Sequence, residues 1–308
     1  MRIFTCALIL TTLTFPALAQ EPPRRDSVIY EPSLEDPVLK EIRTRNEKAD
    51  KDRDARTTVI RARQKADQKA RKDARKKLRA TLPENEVPAS PEIFTRHFHF
   101  PPQAQYYTGT CWAYGATSLL ESEIFRIADK KIKMSEMHTV YYEYIEKTRR
   151  FVQERGDSNF AEGSQHNAVT RMWKLYGAVP LEVYAGVLAE DGLHDHTRMS
   201  REMTDFLQHV KAKDVWDEEW VVGVIRSILD KYMGPPPTEF KYKGRQYTPL
   251  SFLEKVCKIN PDDYLGFMSS MAHPFYSQSE FEVPDNWWKD ASYHNVPIEV
   301  FIDRKSVV

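Results

Sequence analysis

Cysteine and glycine are scarce in this 308-residue chain, at three and eleven residues, and neither sign of charge prevails, with 45 basic against 45 acidic side chains. Each shortage excludes something. Three cysteines cannot staple a disulfide-dense scaffold. So few glycines disfavour the glycine-rich loops of a nucleotide fold, and neither a phosphate-binding glycine motif nor HExxH occurs. A net charge of zero argues against a protein that works chiefly as a polycation. No apolar run reaches the roughly 20 residues that a membrane-spanning helix requires. What remains is a chain 41% hydrophobic and 12% aromatic, rich enough to bury a sizeable core and long enough for about two domains.

Residues 1–19 read as a secretory signal peptide. Arg2 supplies the positive start, a mostly apolar stretch follows, and Ala17-Leu18-Ala19 is a small-x-small cleavage site. The expected location is therefore periplasmic or extracellular. Cys6 falls inside this segment, which leaves Cys111 and Cys257 in the mature chain. In an exported protein a lone thiol is a candidate working thiol.

Residues 20–91 read as a charged leader, a long helix and a linker. Between residues 38 and 82 there is no Gly, Pro or aromatic side chain, and seventeen basic residues stand against seven acidic ones, a net of +10. The body that follows is correspondingly acidic. Ala62, Ala66, Ala70, Ala74 and Leu78 recur every fourth residue and line one helix face. Alanine is too small to anchor a core there. The spacing predicts a long solvated helix over 38–82, held in part by ion pairs such as Arg53 with Asp50 and Asp54. Proteins that read single strands interleave aromatic residues for stacking, so nucleic acid is not the expected partner. A spacer is the plainer reading; an anionic envelope surface or a partner helix is the sharper one. Residues 82–91 hold three prolines and read as the linker to a globular domain over 92–302.

The chemistry is concentrated in Gln105-Tyr-Tyr-Thr-Gly-Thr-Cys111-Trp112 and the residues after it. Trp112, Ala116, Leu119, Leu120 and Ile124 follow helical spacing, and Thr108, Gly109 and Thr110 supply turn and cap chemistry before them. Cys111 is thus expected at the first turn of a buried helix. There the unpaired backbone N–H groups and the helix dipole favour an anion, and hence a thiolate over a thiol. A thiolate is a strong nucleophile towards a carbonyl. Gln105, six residues earlier, can fold its amide back and join the Cys111 N–H as a donor to an oxyanion. Cys257 sits in a helical stretch with nothing near it to activate it, and reads as an inert core thiol.

The Gln-x5-Cys-Trp pattern at a loop-to-helix start resembles the papain-like cysteine peptidases, and within them the bleomycin hydrolase/aminopeptidase C branch and its exported bacterial relatives. The resemblance continues through Met134-Ser-Glu-Met137 with Val140-Tyr-Tyr-Glu-Tyr144, through Asn159-Phe-Ala-Glu-Gly-Ser164, and through Tyr176-Gly-Ala-Val-Pro180-Leu-Glu-Val-Tyr184. Asn260-Pro-Asp-Asp-Tyr264, His273-Pro-Phe-Tyr276, Pro284-Asp-Asn-Trp287 and Tyr293-His-Asn-Val-Pro297 extend it, so that it covers about residues 92–302. It implies an α+β, two-lobed fold with the cleft between lobes, the helical lobe present and the β lobe incomplete. It implies Cys111 as nucleophile and Gln105 in the oxyanion hole. Gly163, Ser164 and Trp112 are the implied substrate-binding residues, and peptides or proteins the substrates. No cofactor and no metal is implied. Ser164 departs from the family's Gly-Gly pair, which bears on subsite preference. Hexameric cages among cytosolic members leave a homo-oligomer open.

One requirement goes unmet. A cysteine peptidase needs an imidazole to accept the thiol proton and later protonate the leaving amine. In this family that His lies late in the chain and is oriented by an Asn. None of the nine histidines has that setting; His294-Asn295 are adjacent residues and cannot stack as base and orienter. His194-Asp195-His196 and His97-Phe98-His99 are too few ligands for a zinc site. Residues 303–308, Asp-Arg-Lys-Ser-Val-Val, read like the in-frame translation of a short-read sequencing adapter. The expectation is that the natural frame continues past Ile302 to a His and an Asn absent from this chain, and that the chain as given is inactive or nearly so. The rival is a peptidase-like binding protein that has lost its catalytic His.

Overall fold

The computed structural model describes residues 36–76, 90–189 and 192–302. The expected signal peptide, the leader up to residue 35, residues 77–89 with most of the linker, and residues 303–308 lie outside the described residues. The chain divides into two units, residues 1–89 and 90–308.

In the first unit a single helix, α1 (Pro37–Asp73), runs for 37 residues with no buried side chain. Asp36 caps it, its carboxylate accepting from the Val38 N–H at 2.8 Å, and Pro37 takes the first-turn position where a missing N–H costs nothing. The expected span was 38–82, whereas the helix stops at Asp73. Arg71 with Arg75 and Lys72 with Lys76 are like charges one turn apart, which disfavours continuation. Of the expected ion pairs, Arg53 with Asp50 forms at 2.5 Å, with both side chains largely in water.

The second unit is built on α3 (Glu136–Gln153). Ser135 caps it by accepting from the His138 N–H. Its tyrosines, β-branched residues and Phe151 occur on every side, so thirteen of its eighteen residues are buried. A helix apolar all round belongs in the middle of a core. Accordingly α3 packs against α2 (Cys111–Ala128), α4 (Asn167–Tyr176) and α6 (Glu218–Met233), and α5 (Thr197–Ala212) packs on α6. Each large apolar side chain buried here contributes about 1.5–3 kcal/mol before entropy is counted. Lys133 bridges Glu121 of α2 and Glu136 of α3, at 2.9 and 2.5 Å.

The β structure is small. Strands β1 (Phe240–Tyr242) and β2 (Arg245–Tyr247) form an antiparallel hairpin. Its two turn residues, Lys243 and Gly244, both have positive φ, the geometry that matches strand twist. A short helix, α7 (Pro249–Phe252), runs on into a π turn. Strands β3 (Phe267–Met268), β4 (Ser277–Ser279) and β5 (Tyr293–Asn295) form a sheet in the order β3-β5-β4, with β5 parallel to β3 and antiparallel to β4. The last described element is α8 (Ile298–Ile302). The architecture is mixed, mainly helical with small sheets, and compatible with an α+β class.

One expectation about α2 needs correction. Trp112, Leu120 and Ile124 are buried as the spacing predicts, but Leu119 is 59% exposed. Helical spacing marks a stripe wider than the face α3 covers. Leu119 lies at the edge of that stripe and, with Ala116, His166 and Leu265, lines a cavity of about 80 Å³.

Candidate active site

The loop before α2 is fastened at several points. Thr108 donates its hydroxyl to the Gln105 carbonyl at 2.9 Å. The Tyr107 N–H donates to the His194 carbonyl, and the His196 N–H returns to the Tyr107 carbonyl, both at 3.1 Å. Tyr106 is held at φ 54°, an uncommon setting for a bulky residue and one found where surroundings over-determine the backbone.

Cys111 is the first residue of α2 and is exposed. Thr110 stands at the N-cap, but its hydroxyl pairs with that of Thr108 at 2.6 Å and caps nothing. This departs from the cap chemistry expected of the threonines. Among the described residues, the N–H groups of Cys111 and Trp112 therefore have no partner, while those of Ala113 and Tyr114 reach the Thr110 carbonyl. An uncapped N-terminus keeps its donors available to an anion. Gln105 is half-buried, and one hydrogen of its amide goes to the Thr108 carbonyl at 2.8 Å. Only the second hydrogen is left for an oxyanion.

The segment 161–164 forms a wall bound to this loop on one side and to α3 on the other. The Trp112 indole donates to the Glu162 carbonyl at 3.2 Å, and the Glu162 carboxylate accepts from the Gly109 N–H at 2.5 Å. Trp112 is buried, so its visible work is to join α2 to the wall. Gly109 must be glycine, because a Cβ there would come within 2.6 Å of the Glu162 Cβ. On the other side, Lys147 Nζ donates to the carbonyls of Ala161 and Gly163, both at 2.5 Å. The Ser164 hydroxyl donates to Glu143 at 2.5 Å, and the same carboxylate oxygen accepts from the Trp287 indole at 2.6 Å. Asp285 lies directly over Gly163: a Cβ on Gly163 would meet its carboxylate at 2.6 Å.

Electrostatics follow from burial. The Lys147 ammonium is 1% exposed, and burial pushes its pKa down to about 8 against the opposing pull of Glu143, Asp285 and Glu162. Burial, with Glu162 and Glu143 nearby, pushes the Tyr144 phenol well up. Burial lowers His196 to about 4, aided by His194, and neither ring nitrogen of His196 has a hydrogen-bond partner among the described residues. The Cys257 thiol is fully buried and pushed up to about 12, the state of an inert core cysteine.

The histidines do not converge on the thiol. Cys111 Sγ makes no hydrogen bond among the described residues, to an imidazole or to anything else. His294 and Asn295 point to opposite faces of β5, as neighbours on a strand must. His294 reaches Gln278, whereas buried Asn295 donates to the carbonyls of Ser270, His273 and Pro274. Among the described residues no group of three or more His, Cys, Asp or Glu comes together as a metal site, and no helix is long and apolar enough to cross a membrane.

Sequence reasoning did not find Lys147, Glu143 or Asp285. A signal existed for the first two: they lie one turn apart within an aromatic-rich run, on a face that spacing places inside.

No protein-family model matches the chain, and no curated protein matches it. Among solved structures, the crystal structure of PepW from Lactobacillus rhamnosis HN001 is similar, with a TM-score of 0.51 at 20% identity, over 65% of this chain and 54% of PepW. The chain spans about half the length of PepW, and at this identity the likeness is one of fold.

Proposed function

We propose that this chain carries the nucleophile-bearing lobe of an exported, papain-like cysteine peptidase of the bleomycin hydrolase/aminopeptidase C branch. The observation that carries the reading is Cys111 as an exposed thiol opening an uncapped helix, joined through Trp112 to the wall at residues 161–164. The likeness in fold to PepW agrees with it.

In this reading an extended peptide lies along the wall with its scissile carbonyl over Cys111. The thiolate attacks that carbon, an S–C bond forms, and the oxygen takes up the electron pair as an oxyanion. The Cys111 N–H and the free hydrogen of the Gln105 amide receive it. An imidazolium protonates the leaving amine, the C–N bond breaks, and water then releases the acyl group from sulfur. The reading requires such an imidazole, and no imidazole hydrogen-bonds Cys111 among the described residues.

The second reading, a peptidase-like binding protein, is favoured by one observation: Cys111 has no proton acceptor among the described residues. A long read of the source DNA across codon 302, joined to labelling by a peptidyl epoxide, separates the two. The peptidase reading expects a frame that continues into a His and an Asn, and labelling at Cys111 that exceeds labelling at Cys257 by at least about 100-fold, since a buried thiol is inert. A genuine stop after Val308, with no preference for Cys111, would sink it.

A further inference from the structure

The two halves of α1 carry their charge differently. Residues 36–54 hold six basic and six acidic side chains, whereas residues 55–76 hold nine basic against two acidic. In the first half opposite charges stand one turn apart and can meet, as Arg53 and Asp50 do. In the second half Arg61, Lys65, Lys69 and Lys72 follow one another at i, i+4, i+8 and i+11. That spacing sets them in a row about 16 Å long on one side of the helix. Asp67, the one acidic residue between Arg61 and Lys72, falls on the opposite side, with Arg56, Arg63 and Arg71.

Such a row is unfavourable by itself, because like charges one turn apart destabilise a helix. All four side chains are exposed, and none makes an ion pair or hydrogen bond among the described residues. The helix dipole favours cations only in the last turn, which covers Lys72 and leaves Arg61 and Lys65 unexplained. The row therefore calls for negative charge from outside the chain. A partner helix would need an apolar stripe. Val59 and Ile60 are adjacent, lie on different sides, and are 69% and 57% exposed. The same lack of an apolar face excludes insertion into hydrocarbon. No aromatic side chain is present in α1 to stack on nucleic-acid bases. A flat anionic surface, by contrast, meets a straight row along its whole length through charge alone.

We propose that the face of α1 bearing Arg61, Lys65, Lys69 and Lys72 is a docking surface for a bilayer carrying anionic phospholipid headgroups. Contact is electrostatic, lies in the plane of the headgroups and is reversed by salt. A helix is about as thick as the screening length at 0.1 M salt, roughly 10 Å, so cations on the far side contribute much less. Nothing in this docking depends on the reading of Cys111.

The test is sedimentation of the full chain with vesicles of phosphatidylcholine alone, or of phosphatidylcholine with about 30% phosphatidylglycerol, at about 0.1 M and 1 M salt. Binding should require phosphatidylglycerol and fall at least about tenfold at the higher salt. Lys65→Gln, Lys69→Gln and Lys72→Gln together should lower affinity by about 30- to 100-fold, at up to about fivefold per cation near an anionic surface. Arg56→Gln, Arg63→Gln and Arg71→Gln together remove the same charge from the opposite side and should lower it by less than about fivefold. Lys65→Arg, Lys69→Arg and Lys72→Arg together keep the charge and should bind within about twofold of wild type. Lys, Arg and Gln have nearly the same helix propensity, so circular dichroism should show the same helicity in every variant. Equal losses from the two Gln triples, binding to phosphatidylcholine alone, or no binding at all overturns the proposal. So does tighter binding of the wild-type chain to duplex DNA than to the anionic vesicles in the same salt. A dimer in vesicle-free buffer that the Lys→Gln triple abolishes would give the row to a second copy of the chain, and overturns it as well.

Discussion

Helices α1 and α3 use much the same charged alphabet and do opposite things with it. In α1 every Lys, Arg, Asp and Glu stays in water and no residue is buried. In α3 Glu143, Lys147 and His138 are all but inaccessible. The difference lies in what surrounds the charges. Alanine and charge around α1 leave no apolar face to draw a partner in. Tyrosine, valine, isoleucine and phenylalanine around α3 draw three helices onto it, and the charges between them are buried as a result. A charge run is a solvated face only when its neighbours permit it.

The largest expected effect comes from removing the same residue type from both helices. Glu143→Ala leaves the Ser164 hydroxyl and Trp287 indole without their acceptor and should cost about 3 kcal/mol. Glu47→Ala on α1 should leave stability within about 0.5 kcal/mol. Urea denaturation followed by tryptophan fluorescence measures both, and equal losses would break the contrast.

An acid titration comes next. Burial lowers His138 to about 3 and His196 to about 4. Both pKa values are depressed below the unfolded value of about 6.5, so the unfolded chain binds the extra protons. The contribution of these two histidines to stability is therefore level above about pH 6.5 and falls as pH drops below it. Each histidine should account for about 2 kcal/mol lost by pH 5. The described part of α1 has no histidine. Replacing His138 by Phe should remove its share of the slope, and an unchanged slope would count against the buried neutral ring.

Much of this was legible beforehand. The i, i+4 alanines and the absence of Gly and Pro made α1 readable, because a solvated helix depends on its own residues. Its end was not, since like charges one turn apart act gradually. The position of Cys111 at a helix start could be read from Trp112, Leu120 and Ile124. Leu119 misled, because spacing marks a stripe without saying how much of it a partner covers. Lys147 carries no motif of its own in Lys147-Thr-Arg-Arg150. Only its contact with a loop fourteen residues on gives it another meaning.

The smallest expected effect sharpens the contrast from the other side. Arg53→Ala removes the Arg53–Asp50 pair, in which both partners are mostly exposed, and should cost about 0.3 kcal/mol. Amide hydrogen exchange along α1 would detect that; a loss above about 1 kcal/mol would mean the helix has partners its own sequence does not reveal.

The sequence by itself determined the helices, the order of the motifs and the thiol at the start of α2, because local spacing, capping and chain order are properties of neighbours along the chain. Tertiary structure decided which donors remain free around that thiol, where Gln105 directs its amide, and that Lys147 and Glu143 hold the wall at residues 161–164. The wall depends on groups 14 to 21 residues apart meeting at hydrogen-bond distance, and the loop around the thiol on which of its possible partners each group takes.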